Sequence, residues 1–148
     1  MQISKYLTLA DVEKSTTATR KGIKNNLPEI LIQNAKRVAE LYDQIYDHFN
    51  GNVYINSFYR SESLNKAIGG ASSSQHTRAQ AIDIEGKNGV TNLQVLEFAK
   101  TLDFDQIINE FQDAKGEPSW VHISRAVANR RQVLKAVKQG KKTVYINA

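Results

Sequence analysis

An α+β fold is the class this sequence predicts: a small antiparallel sheet flanked by helices, in a single domain spanning residues 1–148. Three observations lead there. Leu31, Ala35, Val38, Tyr42, Ile45 and Phe49 recur at steps of four and three, which marks one apolar face of a long helix. Phe104–Phe111 and Trp120–Ser124 read as strands and follow one another across a short loop, Ala114–Pro118, as the two halves of an antiparallel hairpin do. Helical segments are mixed with such adjacent strands along a chain long enough to bury a core of its own.

Taken in order, residues 5–27 are polar and threonine-rich, with a short helix expected near Leu9–Lys14 and an irregular segment after it lying over the domain. Asn25-Asn26-Leu27-Pro28 is a helix start, a cap candidate followed by proline in the first turn, and the long helix runs from Pro28 to His48. Asn50-Gly51-Asn52 turns the chain into a strand, Val53–Ser57, whose β-branched and aromatic residues suit a pleated surface. Ser61 caps a short helix that reaches Ile68 and stops at Gly69-Gly70. Ala71–Ser74 is a small polar loop leading into His76. From Ala81 to Glu85 the pattern alternates, with Ala81, Asp83 and Glu85 on one side and Ile82 and Ile84 on the other. Thr91-Asn92-Leu93-Gln94 has the form of a capping box, opening a helix that buries Val95, Leu96, Ala99 and Leu102. Asn129 is expected to cap a last helix through Gln139, ended by Gly140, with Thr143–Ile146 as an edge strand.

Composition removes several classes of function. There are no cysteines, so disulfides and thiolate metal sites are excluded, and any metal is held by nitrogen and oxygen. No apolar run approaches the roughly 18 residues of a membrane-spanning helix. Asp11 and Glu13 come too early for a signal-peptide core, so the chain is expected to be made in the cytoplasm without a signal peptide. A net charge of +5 would favour an anionic partner, but a solvated basic surface is the preferred explanation and the charge alone decides nothing.

The chemistry concentrates in Ser74–Asp83 and in Trp120-Val121-His122. Two of the three histidines fall there, His76 with Asp83 seven residues on, and His122 on an apolar segment. Strand parity puts His122 on the face of Trp120 and Ser124, opposite Val121 and Ile123, just as it puts Asp83 opposite Ile82 and Ile84. Two imidazoles and a carboxylate can bind zinc and leave one position open. Spacing alone leaves this reading level with that of histidines satisfied in the core. His48, at the end of the long helix, reads as a surface or helix-dipole residue. An open zinc site lowers the pKa of a bound water to about 7, and hydrolysis then needs a base and an oxyanion partner. Glu110 and Glu117 are the base candidates, with Glu110 preferred because a strand end holds a carboxylate more firmly than a Gly-Glu-Pro loop. Arg60 offers a planar fork for a carboxylate or a polarised carbonyl, against the alternative of a surface salt bridge.

On these residues the sequence resembles the zinc D-alanyl-D-alanine carboxypeptidases, peptidase family M15, whose fold is shared with the hedgehog signalling domain. Thr17-Ala18-Thr19-Arg20 resembles an amino-terminal signature of short phage and bacterial members. Ser57–Ser61 with Leu64–Gly70 resembles the arginine-bearing strand and its following helix. Ser74-Gln75-His76 with Ala81-Ile82-Asp83 resembles the first metal motif, and Trp120–Ser124 the second. The resemblance implies His76, Asp83 and His122 as zinc ligands and Arg60 as substrate clamp or oxyanion stabiliser. Two positions depart from the family. Ala79 stands where a glycine is common, which strains the turn if a positive φ is needed there. Ser119 stands where several relatives carry their catalytic glutamate, so the base must come from elsewhere, and the run Phe104–Ile108 leading to a glutamate favours Glu110.

The function expected is a zinc metallopeptidase acting on peptidoglycan stem peptides, as a D-Ala-D-Ala carboxypeptidase or a cross-link endopeptidase. Ser57, Tyr59, Ser74, Gln75 and Trp120 are expected to line the substrate groove. The setting expected is phage or prophage lysis or wall remodelling, the enzyme acting on the cell wall as a monomer after phage-mediated release, without membrane or nucleic-acid partners. The alternative is a catalytically inactive zinc-binding module of hedgehog type. A basic nucleic-acid-binding domain, the other rival, has no recognition motif behind it.

Overall fold

A computed structural model describes the whole chain, Met1–Ala148. The amino-terminal region holds two short helices, α1 (Leu9–Glu13) and α2 (Thr16–Lys21). A reciprocal capping box between Thr8 and Asp11 starts α1. The segment expected to be irregular is helical from Thr16, because Ser15 accepts from the Ala18 N–H and Gly22, at φ 66°, closes the carboxyl end. Buried Ala18 anchors this helix in spite of its threonines. A single 3-10 turn, Glu29–Leu31, leads into α3 (Ile32–His48), whose Ala35, Val38, Tyr42 and Ile45 are buried as the stripe predicts.

After α3 come β1 (Val53–Ser57), α4 (Glu62–Ala67), a 3-10 turn (Gln75–Arg78), β2 (Ala81–Gly86), α5 (Asn92–Ala99), β3 (Gln106–Glu110), β4 (Trp120–Ser124), β5 (Gln132–Gln139) and β6 (Lys142–Asn147). The six strands form one sheet in the order β1-β2-β4-β3-β5-β6. The expected α+β class is present, but the sheet is neither small nor wholly antiparallel, since β5 runs parallel to β3. The expected last helix is also corrected, for Gln132–Gln139 is a strand. Its Val133, Leu134 and Val137 fit either period. What decides is that β3 is buried and needs a backbone partner on its free side, which only an extended segment supplies. Gly140, read as a helix stop, instead turns the β5–β6 hairpin at φ 65°.

One face of the sheet, with Val53, Ile82, Ile84, Ile107, Val121 and Ile123, packs with Ala35, Val38, Leu41 and Ile45 of α3 and Val95 and Leu96 of α5 into the hydrophobic core. The alternate positions project from the opposite face. There Ser57 pairs with Asp83, Asp83 with His122, and His122 with Ile108, in neighbouring registers. Burying one face so completely fixes the register, because a one-residue slip would exchange the isoleucines for the polar set.

Candidate metal centre and active site

Three elements bring the ligand candidates together. Asp83 and His122 are a direct cross-strand pair of β2 and β4, so their side chains rise side by side. His76 arrives from the 3-10 turn before β2, where Ser74 accepts from its backbone N–H. This turn closes on Ala79 at φ 54°, ψ 36°, so the positive-φ geometry is kept with alanine in place. The ligand atoms of His76, Asp83 and His122 all lie within 4.8 Å of one another. Asp83 Oδ1 is 3.2 Å from both His76 Nε2 and His122 Nδ1. A tetrahedral ion with bonds of about 2.0–2.1 Å separates its ligand atoms by roughly 3.3 Å, so the spacing suits zinc.

The hydrogen bonds favour a cation over a simple polar cluster. His76 Nδ1 lies 2.7 Å from the Phe58 carbonyl oxygen, which only accepts, so Nδ1 carries the proton. In its neutral form His76 then turns a lone pair on Nε2 toward the carboxylate, and this buried atom has no hydrogen-bond partner. Two lone-pair-bearing atoms at 3.2 Å repel unless a positive charge sits against both. Despite burial, the neighbouring His76 and His122 keep the Asp83 carboxyl far below its usual range, so it is an anion ready for a metal. His48, by contrast, lies at the exposed end of α3 with its ring stacked on Phe98, at 3.7 Å between centroids.

Arg60 approaches Asp83 from the other side, with Nη2 3.5 Å from Oδ2. Ser57 Oγ accepts from its Nε at 3.1 Å and Asn65 Oδ1 from its Nη1 at 3.0 Å, so the guanidinium is held on three edges. A cleft of about 240 Å³ opens beside Arg60 and Asp83, walled also by Lys14, Ser15, Thr16 and Thr17 from the amino-terminal region. Buried Asn25 holds that region to the site. Its amide donates to the carbonyls of Glu13 and Tyr59, and its oxygen accepts from the Ser61 N–H. This clamp, and the cleft wall at Lys14–Thr17, were missed from sequence. The Asn25-Asn26-Leu27-Pro28 run was legible only as a helix start.

Glu110 ends β3 on the ligand face, two residues beyond the partner of His122 and opposite Trp120. It is 7% exposed and its carboxylate has no hydrogen-bond donor or ion-pair partner in the protein. Burial pushes its pKa up to about 7, and Asp83 adds to this, while His122 and Arg60 oppose it. Ser119 lies just beyond, its N–H donating to the Glu110 carbonyl and its hydroxyl to that of Phe111. Glu117 is engaged elsewhere, accepting from Leu93 N–H at the start of α5.

The expected substrate-lining set is redistributed. Tyr59 is 6% exposed with its ring in the core, which corrects its placement in the groove. Ser57 holds Arg60, Ser74 caps the His76 turn, and Gln75 bridges His122 and Asp105. Trp120 remains partly exposed on the ligand face, its ring 5.6 Å from that of Phe111.

Residues 5–124 match the family described as Peptidase M15. The chain belongs to the peptidase M15 family. All three ligand candidates, Arg60 and Glu110 fall within the matched residues, while β5 and β6 lie beyond them. No curated protein matches the chain. Membership makes it a peptidase by family, and the buried His-Asp-His group is the one cluster suited to a metal that the fold assembles.

Proposed function

We propose that this M15 peptidase is a zinc enzyme that hydrolyses peptide bonds in peptidoglycan stem peptides, acting at the bacterial wall. The observation that carries the reading is the convergence of His76 Nε2, Asp83 Oδ1 and His122 Nδ1 beside an unpaired, buried Glu110. The three side chains would hold zinc, which supplies Lewis acidity to a peptide carbonyl and to water. Glu110, with a pKa near the working pH, takes the proton from the attacking water and returns one to the departing amine. Arg60, locked by Ser57 and Asn65, holds the outer oxygen of Asp83 and presents its charge to the cleft, where a substrate carboxylate or the developing oxyanion would lie. Trp120 gives the peptide an apolar wall on the Glu110 side. The unpaired Glu110 favours turnover over an inactive zinc-binding module, because a carboxylate that the protein does not engage is free to take a proton from water.

Purified cell walls should lose turbidity with the wild-type protein, and chelator or His122→Ala should abolish the loss. Glu110→Gln should bind zinc yet leave the walls intact. Mass spectrometry of the released material separates free D-alanine from opened cross-links and so names the bond. Equal activity of wild type and His122→Ala would end the zinc-peptidase reading.

A further inference from the structure

We propose that Gln75, Asp105 and Arg130 form a positioning relay that fixes the His122 ring with its proton on Nε2, so that the metal meets Nε2 of His76 but Nδ1 of His122. The inference rests on the metal reading above and concerns residues to which that reading gives no role.

The polarity follows from the outer end inward. Arg130 can only donate, and it does so to both oxygens of Asp105, from Nε at 3.0 Å and Nη2 at 2.8 Å, with its backbone N–H adding a third bond at 2.9 Å. Asp105 is 3% exposed, and the Arg130 hydrogen bonds keep it ionised, so it can only accept. The Gln75 amide must therefore turn its NH2 toward Asp105 Oδ2, 3.0 Å away, which leaves Oε1 facing His122 Nε2 at 3.2 Å. That oxygen also only accepts, so His122 Nε2 carries the hydrogen and Nδ1 is left with its lone pair toward Asp83. His76 runs in the opposite sense, its Nδ1 proton being taken by the Phe58 carbonyl.

The relay also sets orientation. Turning the His122 ring over would place Cδ2 where Nδ1 now faces Asp83, and a carbon toward Gln75 Oε1. The hydrogen bond to Gln75 is the contact that tells the two orientations apart. Its anchor, Arg130, lies in the segment that crosses from β4 to β5, beyond the matched family residues, so this crossing serves the metal centre as well as the sheet. Outer partners of ligating histidines typically change metal affinity about 10–100-fold when removed.

Long-range proton–nitrogen NMR on the zinc-loaded full chain reads the three imidazoles directly, with His48 as an internal reference outside the site. The expected spectrum shows His76 protonated on Nδ1 and His122 on Nε2. Gln75→Ala should lose the single His122 tautomer and weaken zinc binding, measured by chelator competition, about 10–100-fold, while the metal-free melting temperature stays near wild type. Zinc bound with His122 protonated on Nδ1, or unchanged affinity and tautomer in Gln75→Ala, would overturn the relay alone. Failure of the wild type to bind zinc would overturn the metal reading and the relay with it.

Discussion

Glu110 ends a buried strand with nothing donating to its carboxylate, and burial pushes its pKa up to about 7. A general base must be ionised, so kcat/KM of the zinc-loaded enzyme is expected to rise with pH along a limb below about pH 7 and to level off above it. A bound cation favours the ionised carboxylate and moves that limb to lower pH, never higher. A pH–rate profile checks this, and a limb that survived in the residual activity of Glu110→Gln would remove Glu110 from the role. At this scale the sequence was informative about chemistry and weak about commitment. His76, Asp83, His122, Arg60 and Glu110 could all be named as candidates from residue type and local pattern, and their roles came from the family resemblance. Tyr59, Ser74 and Gln75 were placed in the groove because polar and aromatic residues near a motif look like substrate contacts. Whether a side chain is already spent on the protein depends on partners far along the chain, as Gln75 does on Asp105, 30 residues away.

Among the elements, α4 and the glycines after it have a specific duty. A Cβ on Gly70 would stand 2.1 Å from Asn65 Oδ1, the oxygen that accepts from Arg60 Nη1. Asn65 is buried and also donates to the Ala71 carbonyl, so it has little room to yield. Gly70→Ala is expected to displace Asn65 and release Arg60, lowering kcat/KM at least about tenfold and stability by about 1–3 kcal/mol, the usual cost of overpacking. Zinc affinity should change far less, because no ligand moves. Steady-state kinetics, thermal melts and chelator competition on one preparation separate these effects, and wild-type kinetics would show that Asn65 does not hold Arg60 in place. The elements misread from sequence share one cause. Gln132–Gln139 fits a helical or an extended period, and Thr16–Lys21 has weak helical propensity. In both, a tertiary partner made the choice, β3 for the strand and the buried seat of Ala18 for the helix.

Across the whole molecule, charge is divided unevenly along the chain. Residues 125–148 carry seven lysines and arginines and no aspartate or glutamate, so the net charge of +5 arises there. Arg125 and Arg130 are paired with acids, whereas Lys135, Lys138, Lys141 and Lys142 of the β5–β6 hairpin have no acidic partner. An anionic wall should attract this end of the sheet, and the attraction should fade as ionic strength passes about 0.1–0.15 M, where the screening length falls to roughly 8–10 Å. Replacing Lys138, Lys141 and Lys142 with glutamine is expected to flatten the salt dependence of sedimentation with purified walls, while cleavage of a short soluble peptide is kept. An unchanged salt slope would show that the hairpin does not contribute.

By itself the sequence determined the long helix, the alternation of β2 and β4, the ligand types and the absence of thiol chemistry, since each depends on local periodicity or on composition. The tertiary structure alone decided that β5 runs parallel to β3, that Glu110 is buried on the face of His122 with no partner for its carboxylate, and that Arg130 connects to His122 through Asp105 and Gln75. The physical reason is common to all three. A backbone hydrogen bond, a burial-raised pKa and a tautomer are properties of pairs of groups, and those pairs exist only once distant segments have been packed together.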